Sequence, residues 1–484
     1  MRTVQLRRGT YLDSVTLMQV SRRVAALDGV TSALVAMATE LNLDLAAGMG
    51  FEVPPASPNE LLVAVEATSS DAALAEVDLA LAEASRPAPA GFGNAPAPVT
   101  VRSAATRSGA TVALISTPGQ WAFADAVDAL DAGLLTMVFS DNVPLEQEVA
   151  LKEYAGRAGL LVMGPDCGTA VVGGVGLGFA NVVRPGPVGI VAASGTGAQH
   201  LMALLDGAGV GVSHCLGVGG RDLSAEVAGR STLQALDLLD ADASTELIVV
   251  VSKPPAAEVA DAVRARASAL GTPVLFGLLG AGQPDLTATA ASVVQAAGGR
   301  WAAPEHWTGD VATGRPGGAL RGLFVGGTLC DEAMLVASAA LGRVTSNIPL
   351  DPSWAVGDDL ASDGHTMLDF GDDRLTRGRP HPMIDGALRV ERLLAETEDP
   401  TTGVLLLDVV LGLGSADDPA AELVPALHAA RDAGLPVVVS VTGTRDDPQG
   451  LRAQVAALHG AGAWVHLSNA AAARCALDLL GVPA

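Results

Sequence analysis

Lysine is nearly absent from this chain of 484 residues: Lys152 and Lys253 are the only two. Schiff-base chemistry and a phosphate-binding loop built on lysine therefore have few candidates. Acidic residues outnumber basic ones, and the formal net charge is −24. A protein that binds nucleic acid by itself needs a basic face, so this charge argues against a nucleic-acid partner.

Cysteine is also scarce, with four residues scattered through the chain and no pair in CxxC spacing. This argues against a disulfide framework and a structural zinc site, and it fits the reduced cytosol, so we expect a cytoplasmic location. No purely apolar run reaches about 18 residues, the length of a membrane span, and the N-terminus lacks the apolar core of a signal peptide. A membrane partner is therefore not expected.

Aromatic residues make up only 3% of the chain, whereas glycine is abundant, with 56 residues. Small residues let helices pack closely on parallel sheets, so this composition favours an α/β fold over an aromatic-rich β-sandwich. The length predicts about two to four domains. Residues 1–86 show the strand and helix order of a small α+β module of ferredoxin-like or ACT-like type, and residues 87–100, rich in Pro, Ala and Gly, are a predicted linker.

Beyond this linker, buried-type strands alternate with Gly-rich turns and helices, which predicts parallel sheets with helical crossovers. Residues 101–183 form a first unit of this kind. Two longer units, 184–300 and 319–484, both open with a strand, a [Ser/Gly]-Gly-Thr turn and a helix, and we predict two flavodoxin-like lobes joined by a connector, 301–318. The expected fold class is α/β: a partial Rossmann-like unit, two parallel-sheet lobes and the small α+β module.

Three of the turns between a strand and a helix have the composition of anion sites. The first N–H groups of a helix lack intrahelical partners, glycine lets the backbone approach a ligand, and the helix dipole favours negative charge. The alternative in each case is a tight turn whose polar side chain only caps the helix. The predicted phosphate- or anion-binding residues are Ser194, Gly195, Thr196, Gly219, Gly220, Arg221, Gly326, Gly327 and Thr328.

A cluster of charged residues follows the strand predicted near residue 369. Asp369, Asp372 and Asp373 could hold a hydrated Mg²⁺ ion through one or two carboxylates. Arg379 could clamp a phosphate or a carboxylate, and His381, between two prolines, could act as a general acid or base. The candidate catalytic residues are therefore His381, Arg379 and Asp372. A solvated loop whose charges pair with one another is an equal alternative.

Three further polar residues are expected to have structural roles. His200 lies inside a predicted helix, and His214 opens a predicted strand. Cys167 lies in a turn, but no histidine adjoins it in the sequence to activate the thiol as a nucleophile.

Several of these segments together resemble the α subunit of succinyl-CoA synthetase. GPDCGT (164–169), VGIVAASGTGAQ (188–199) and CLGVGGRDLSAEVAG (215–229) match three landmark turns of that subunit in order and spacing. LDFGDD and VLLLDVVLG are similar to segments of the C-terminal lobe of the β subunit. The longer strings LISTPG, FSDNVPLEQE, LGFANVVRPGPVGIV and GRPHPMID are similar to FdrA proteins, in which these parts are fused. The chain is identified as a member of that family.

The resemblance implies that residues 101–183 are a CoA-binding-like unit and that the two lobes are ligase lobes. In the synthetases, strand ends of the first unit contact CoA, so CoA is an implied cofactor. The residues that the resemblance places at these strand ends are Ser116, Thr117, Pro118, Ser140, Asp141, Pro165, Asp166 and Cys167.

The chain departs from the synthetases where phosphate is carried. The stretch GLLGAGQPDLTATA has no histidine in place of the phosphohistidine loop. The Gly-rich turn of the synthetases' first CoA-binding unit has no counterpart between Pro98 and Ala110, and no ATP-grasp domain is present. We therefore expect no phosphohistidine.

Three functions are compatible with these features. The first is transfer of an acyl or carbamoyl group through a phosphate site, such as an oxamate carbamoyltransferase of purine (allantoin) nitrogen catabolism, the process with which FdrA proteins are associated. It would act on carbamoyl or acyl phosphate with partner subunits and as a homo-oligomer. The second is an acyl-CoA synthetase of the succinyl-CoA ligase type. The third is a non-catalytic scaffold or regulatory subunit whose N-terminal module binds a small ligand.

Overall fold

The computed structural model describes residues 2–10, 12, 14–57, 59–84, 98–376 and 380–482. The chain divides into two compact units, Met1–Ala97 with Arg377–Pro380, and Pro98–Thr376 with His381–Ala484. Within the described ranges, no helix combines the length and the apolar character needed to cross a membrane. Residues 87–97 of the predicted linker lie outside these ranges.

The first unit is the α+β module that the sequence predicts. Its elements are β1 (Arg2–Arg7), α1 (Ser14–Ala25), β2 (Val30–Met37), α2 (Glu40–Gly48), β3 (Leu61–Ala67) and α3 (Ser70–Ala84). The strands form an antiparallel sheet in the order β1-β3-β2. Side chains alternate along β3: Val63 and Val65 pack with α1 and α3, whereas Leu62 and Ala64 belong to a second apolar cluster with Phe51. Both faces of the sheet therefore carry apolar clusters.

The second unit opens with half of a Rossmann-like fold. Its elements are α4 (Val101–Ser108), β4 (Val112–Ile115), α5 (Gly119–Asp131), β5 (Leu135–Val138), α6 (Leu145–Ala158) and β6 (Val162–Met163). The three strands are parallel in the order β4-β5-β6. Helix α4 lies where the synthetases' Gly-rich turn has no counterpart, and a capping box between Thr100 and Ser103 fixes its start.

Lobe 1 is a six-stranded sheet with its helices. Its elements are β7 (Thr169–Val172), β8 (Val175–Gly178), β9 (Pro185–Ala193), α7 (Gly195–Gly207), β10 (Val212–Gly217), α8 (Arg230–Asp240), β11 (Leu247–Ser252), α9 (Ala257–Ala267), β12 (Val274–Leu278) and α10 (Leu286–Ala296). Parallel strands run in the order β12-β11-β9-β10, and a β7–β8 hairpin extends the sheet beyond β10. The sequence analysis did not predict this hairpin, although Gly173-Gly174 between two apolar runs is typical of a two-residue hairpin turn.

Lobe 2 is a seven-stranded sheet with its helices. Its elements are β13 (His306–Trp307), β14 (Ala319–Phe324), α11 (Gly327–Leu341), β15 (Thr345–Ser346), β16 (Thr366–Asp369), α12 (Asp373–Thr376), α13 (Ala387–Glu398), β17 (Thr402–Val410), α14 (Pro419–Asp432), β18 (Val437–Thr442), α15 (Leu451–Gly460), β19 (Trp464–His466) and α16 (Asn469–Leu479). The order is β13-β19-β18-β17-β14-β16-β15, with only β13 antiparallel to its neighbour. The predicted connector 301–318 thus contributes β13 to this sheet.

The two lobes share one apolar core. A single cluster contains Leu201 and Met202 of α7 together with Ala333 and Met334 of α11. Helices α7 and α11 are in contact, so the two lobes pack directly against each other. The predicted fold class, with parallel-sheet lobes and the α+β module, is confirmed, while the predicted domain boundaries stay predictions.

Candidate functional site

Strand order places a crevice at the same point in both lobes. In lobe 1 the chain passes from β9 to β10 on one side of the sheet and then continues at β11 on the other side of β9. In lobe 2 it passes from β14 to β16 on one side and continues at β17 on the other side of β14. Open parallel sheets bind ligands outside the carboxyl ends of the strands, at the point where the connections change to the other side of the sheet. The residues that follow β9 and β11, and those at the ends of β14 and β17, therefore form the expected site.

The turn after β9 starts helix α7 in the way the sequence predicts. Ser194 is the N-cap, and its Oγ accepts a hydrogen bond of 3.0 Å from the Gly197 N–H. The first N–H groups of α7, at Gly195 and Thr196, have no intrahelical acceptor. Thus the capping role and backbone donors without an intrahelical acceptor coexist in this turn.

The corresponding turn of lobe 2 meets it directly. Ser194 Oγ and Thr328 Oγ1 are 2.7 Å apart, and both side chains are buried. A Cβ on Gly326 would lie 2.9 Å from Thr196 Oγ1, so this glycine is needed for the close approach of the two turns. The structure therefore brings together two of the three predicted anion turns at the N-termini of α7 and α11.

The turn that starts α11 is already occupied by carboxylates of the chain. Asp408 accepts hydrogen bonds from the N–H groups of Val325 (2.8 Å) and Gly326 (2.9 Å), and the buried Arg389 guanidinium lies 3.2 Å from the same carboxylate. A Cβ on Gly327 would lie 2.6 Å from Asp369 Oδ2. Negative charge at this helix end is thus supplied by Asp408 and Asp369.

Thr169 of the GPDCGT segment lies beside the open turn of α7. Its side chain is 2% exposed, and among the described residues its Oγ1 has no hydrogen-bond partner. A Cβ on Gly195 would lie 3.6 Å from this oxygen. A buried hydroxyl without a partner costs on the order of 1–3 kcal/mol, so Thr169 Oγ1 is a candidate hydrogen-bonding group beside this turn.

Lys253 follows β11 and faces the α11 turn. Its Nζ lies 3.8 Å from Asp331 Oδ2, and a Cβ on Gly327 would lie 3.1 Å from it. Burial lowers the pKa of Lys253, but the carboxylates of Asp331, Asp369 and nearby groups more than offset this, so its pKa is raised. Lys253 is therefore a cation at neutral pH.

The third predicted anion turn, Gly219-Gly220-Arg221, adjoins the same region with a different arrangement. Gly219 has φ +89°, and a Cβ there would collide with the Pro165 carbonyl oxygen. The Arg221 guanidinium donates to the Val143 carbonyl oxygen (2.8 Å) and pairs with the buried Glu148 (2.9 Å). Arg221 thus links this turn to the start of α6, and 45% of its side chain remains exposed.

The strand ends of the Rossmann-like unit form one continuous edge. Ser140 Oγ donates to the Thr117 carbonyl oxygen (2.5 Å), and the Asp166 N–H donates to the Ser140 carbonyl oxygen (2.9 Å). Helices α5 and α6 start after Pro118 and Pro144, without a side-chain cap. The predicted residues Ser116, Thr117, Pro118, Ser140, Asp141, Pro165 and Asp166 therefore belong to turns at one edge of this sheet.

Asp166 connects this edge with lobe 1. Its φ is +56°, a left-handed conformation that Asn and Asp tolerate better than most residues. Burial and the charge of Asp373 raise the pKa of Asp166 to about 7. A Cβ on Gly220 would lie 3.8 Å from Asp166 Oδ2.

The acidic cluster after β16 separates into different environments. Asp369 is buried at the α11 turn, and burial raises its pKa to about 7 against the effect of Lys253. Asp372 instead accepts hydrogen bonds from the backbone N–H and the guanidinium of Arg374. Over the ranges that the structure covers, no three His, Cys, Asp or Glu side chains are grouped to hold a metal ion. The Mg²⁺ site of Asp369, Asp372 and Asp373 stays a prediction.

His381 lies next to Asp369. A Cβ on Gly371 would lie 2.9 Å from His381 Nε2 and 3.1 Å from Asp369 Oδ1. The Met383 N–H donates to His381 Nδ1, so Nε2 carries the proton of the neutral ring, and burial lowers the pKa of His381 to about 4. The third candidate catalytic residue, Arg379, is outside the described residues.

The other polar residues singled out in the sequence are held in place by the protein. Burial raises the pKa of Cys167 to about 12, so its thiol is not activated. Buried His200 joins the lobes, with Nδ1 2.7 Å from Thr442 Oγ1 and Nε2 accepting from the Asn469 N–H. His214 accepts from the Gly173 N–H at the hairpin turn.

The sequence analysis missed four residues of this site. Thr169 was part of a recognised segment, but its free hydroxyl depends on packing. Lys253 stood out only as one of two lysines, although it follows a fully buried strand. Asp408 interrupts the apolar run VLLLDVVLG, and a charge in a central strand is a signal that could have been used. Arg389, its partner, carries no comparable signal.

Two family models match the chain. The CoA-ligase model matches residues 323–479, and a model described as AllF, heavy metal-associated domain, matches residues 1–97. The second description implies a metal, but residues 1–97 contain neither cysteine nor histidine. Soft metals prefer thiolate and imidazole ligands, so this segment does not fit such a metal.

Relatives extend over different parts of the chain. YahF of Escherichia coli is 39% identical over 95% of this chain and 95% of its own length. The malate–CoA ligase α subunit of Methylorubrum extorquens is 28% identical over 32% of this chain, which spans 53% of that subunit. The chain therefore covers nearly all of YahF but about half of this ligase subunit.

A solved structure, the dinucleotide-forming acetyl-coenzyme A synthetase 1 of Ca. Korarchaeum cryptofilum with phosphate and ADP, is 17% identical. The alignment covers 82% of this chain and 86% of that one, with a TM-score of 0.32. The full-length match to YahF and the CoA-ligase match in lobe 2 agree with the motifs of the sequence. The chain belongs, with YahF, to the FdrA family, and it is related to the CoA ligases.

Proposed function

We propose that the chain is a subunit of a group-transfer enzyme that holds the phosphate of carbamoyl phosphate or of an acyl phosphate at the N-terminus of α7. The observation that carries this proposal is the buried, unpartnered Thr169 hydroxyl beside Gly195. The hydroxyl of Thr196 and the first N–H groups of α7 add further donors. Such donors stabilise the charge that develops on a leaving phosphate.

The reaction that fits these groups is transfer of a carbamoyl group to oxamate. The amide nitrogen of oxamate attacks the carbonyl carbon of carbamoyl phosphate, a C–N bond forms, and the C–O bond to phosphate breaks. The nitrogen loses one proton, which the leaving phosphate can take up. Asp369, whose pKa is about 7, is the chain's own group for passing a proton near neutral pH, while His381, whose pKa burial lowers to about 4, stays neutral there and can only donate a hydrogen bond through Nε2.

The strand ends that adjoin this site provide places for the implied cofactors. CoA would bind at the strand ends of the Rossmann-like unit, where the uncapped N-termini of α5 and α6 offer N–H groups to its phosphates. Mg²⁺ would bind through one or two carboxylates after β16 together with the substrate phosphate, as this ion commonly does. Partner subunits and a homo-oligomer belong to the same proposal.

Measurement of phosphate binding tests the proposed role of the Thr169 hydroxyl. Titration of the full chain with carbamoyl phosphate and with inorganic phosphate, followed by calorimetry, should give a Kd for the wild type. Thr169→Val should weaken binding about tenfold or more, because a hydrogen bond to a charged group is lost, whereas Thr169→Ser keeps the hydroxyl and should bind normally. Equal Kd values for wild type and Thr169→Val would show that the phosphate does not bind at the N-terminus of α7.

A second function is favoured by the match to the CoA-ligase family, namely acyl-CoA synthesis. Carbamoyl transfer and acyl-CoA synthesis can be distinguished by assaying the chain, co-expressed with the products of neighbouring genes, in two reaction mixtures. Carbamoyl phosphate with oxamate should yield phosphate and a carbamoylated product. ATP, CoA and succinate or malate should yield no thioester and no phosphorylated protein. Thioester formation, or phosphate on the chain, would instead establish the ligase.

A further inference from the structure

One edge of lobe 1 carries almost no charge. Residues 267–299, which include the edge strand β12 and helix α10, contain a single charged residue, although charged residues make up 17% of the chain. That residue, Asp285, caps α10 and pairs with Arg474 at 2.7 Å. A net charge of −24 makes two copies of the chain repel each other over much of their surface. The edge formed by β12 is therefore a place where two copies can approach each other without that repulsion.

Strand β12 has hydrogen-bonding groups on its outer side. It lies at the end of the lobe 1 sheet, and among the described strands it pairs only with β11. The Pro273 carbonyl oxygen and the Leu279 N–H, just before and just after the strand, both bond with β11. Because the direction of the backbone groups alternates along a strand, every second residue between them turns its N–H and C=O away from β11. These residues are Val274, Phe276 and Leu278.

This outer side lacks the usual protection of an edge strand. Proteins commonly blunt such an edge with a charged residue, a proline or a bulge. The sequence of β12 is VLFGL, without a charge or a proline, and its register with β11 is regular. The open edge is thus suited to pairing with another strand.

An antiparallel copy of β12 matches these groups. When Phe276 lies opposite Phe276 of a second copy, their outward N–H and C=O groups exchange two hydrogen bonds. Val274 then lies opposite Leu278 of the second copy, and these two residues do the same. A two-fold axis passes between the two Phe276 residues, so the contact is the same on both copies, as in most dimers.

Helix α9, which packs over β12, adds a pair of charges with the same symmetry. The Arg264 guanidinium lies over the Phe276 ring, 6.0 Å from its centroid, so Arg264 is on the side of α9 near the edge strand. Asp261 lies one turn earlier, 3.4 Å from Arg264, and both side chains are exposed, by 81% and 48%. The two-fold axis sets two α9 helices antiparallel, so Asp261 of each copy faces Arg264 of the other.

The space beside α9 is open in the single chain. A groove of about 340 Å³ lies between α9 and β12, and Arg264, Val274 and Phe276 are part of its wall. Helices on one face of a sheet pack about 8–10 Å apart. A second α9 at this distance would cover the groove.

We infer that β12 is the interface through which two copies of this chain form a dimer, with their lobe 1 sheets joined edge to edge. A second copy fits better than an unrelated strand because the backbone groups of β12 and the charges of α9 are both complementary to themselves. This dimer goes beyond the proposed function: it gives the expected homo-oligomer a defined surface and uses no residue of the α7 site. Either can be wrong while the other holds.

Charge exchange on α9 tests this interface. Sedimentation equilibrium of the full chain should show a dimer at micromolar concentration. Arg264→Asp sets two acids against each other and should raise the dimer Kd at least about tenfold. The double variant Asp261→Arg with Arg264→Asp restores opposite charges and should return the Kd to within about threefold of wild type. Arg266→Asp is the matched control: this side chain pairs with Asp237 of α8, and its reversal should leave the Kd unchanged.

Hydrogen exchange reports on the edge strand directly. Peptides that contain β12 should exchange at least about fivefold more slowly above the dimer Kd than below it, and Arg264→Asp should abolish this difference. A monomer at every concentration, or a dimer whose Kd is the same in Arg264→Asp, would overturn the inference. Protection of β12 only when products of neighbouring genes are added would also overturn it, in favour of a partner subunit.

Discussion

The turns that start α7 and α11 have the same position in their lobes but different surroundings. Each follows the first strand of a parallel sheet, and each has the pattern Gly-Thr at the first turn of the helix. In lobe 1 the neighbouring strand β11 ends at Ser252 and is followed by Lys253, whose Nζ lies at the α11 turn, whereas in lobe 2 the neighbouring strand carries Asp408. The α7 end has the Thr169 hydroxyl beside it, without a partner among the described residues, and the α11 end has Asp369, Asp408 and Lys253 around it.

This difference shows that the local motif does not decide whether a helix end binds an external anion. We infer that groups from neighbouring segments decide this, because Asp408 accepts from the N–H groups of Val325 and Gly326 just before α11, whereas Thr169 Oγ1 beside α7 has no partner among the described residues. Under the proposed function, lobe 2 would form a wall of the site and lobe 1 would carry the donors. Substitutions at these turns test this division of roles.

The largest effect is expected from removing the carboxylate that fills the lobe 2 turn. Asp408→Ala removes the carboxylate from the buried Arg389 and from two backbone N–H groups, and although Arg389 still donates to the carbonyl oxygen of residue 408, the free energy of unfolding should fall by about 3–5 kcal/mol. Urea denaturation measures this. Asp432→Ala, at an exposed pair with Arg431, is the control and should cost no more than about 0.5 kcal/mol. Similar losses in both variants would contradict a filled turn.

The next effect is a pH dependence from Asp369. Burial raises its pKa to about 7 from an ordinary value of 3.8, so the folded state holds more protons than the unfolded state between these values. The free energy of unfolding therefore falls as pH rises through this window. Asp369→Asn removes the titration, so the free energy of unfolding of this variant relative to wild type should rise by on the order of 3 kcal/mol between pH 4.5 and pH 7.5.

Denaturation of both proteins at the two pH values measures this, and other titrating groups cancel in the difference. A constant difference, or one that shrinks with increasing pH, would show that Asp369 is ionised in the folded protein throughout.

The smallest effect separates the two hydroxyls that join the turns. Ser194→Ala removes both the cap of α7 and the contact with Thr328, and should cost about 1–2 kcal/mol. Thr328→Val removes only the contact, because α11 has no side-chain cap, and should cost less than about 1 kcal/mol. Thermal or urea unfolding ranks the two. A larger loss for Thr328→Val would reverse the assigned roles of the turns.

The sequence predicted the elements of the fold well because their signals are local. Buried strands such as β11 and β18 are continuous apolar runs, and the Ser194 and Gly326 turns carry their glycines in order. Short elements without such a pattern were missed, among them the strands of the β7–β8 hairpin and β13.

The site was less accessible from the sequence because it is assembled by strand order. Thr169, Lys253 and Asp408 come from segments far apart in the chain and meet only through the parallel sheets. Charge pairing was also hidden from the sequence: Arg221 stays a predicted anion ligand, but its guanidinium also pairs with Glu148 and donates to the Val143 carbonyl oxygen.

The shared apolar core of the two lobes has a consequence for how substrates are received. Because Leu201 and Met334 belong to one cluster, α7 and α11 cannot separate without exposing that core to water. The facing turns are thus preorganised, and the protein gives up little conformational freedom when a ligand arrives. Affinity at this edge then depends chiefly on the fit of the ligand, with no closing motion of the lobes to add to it.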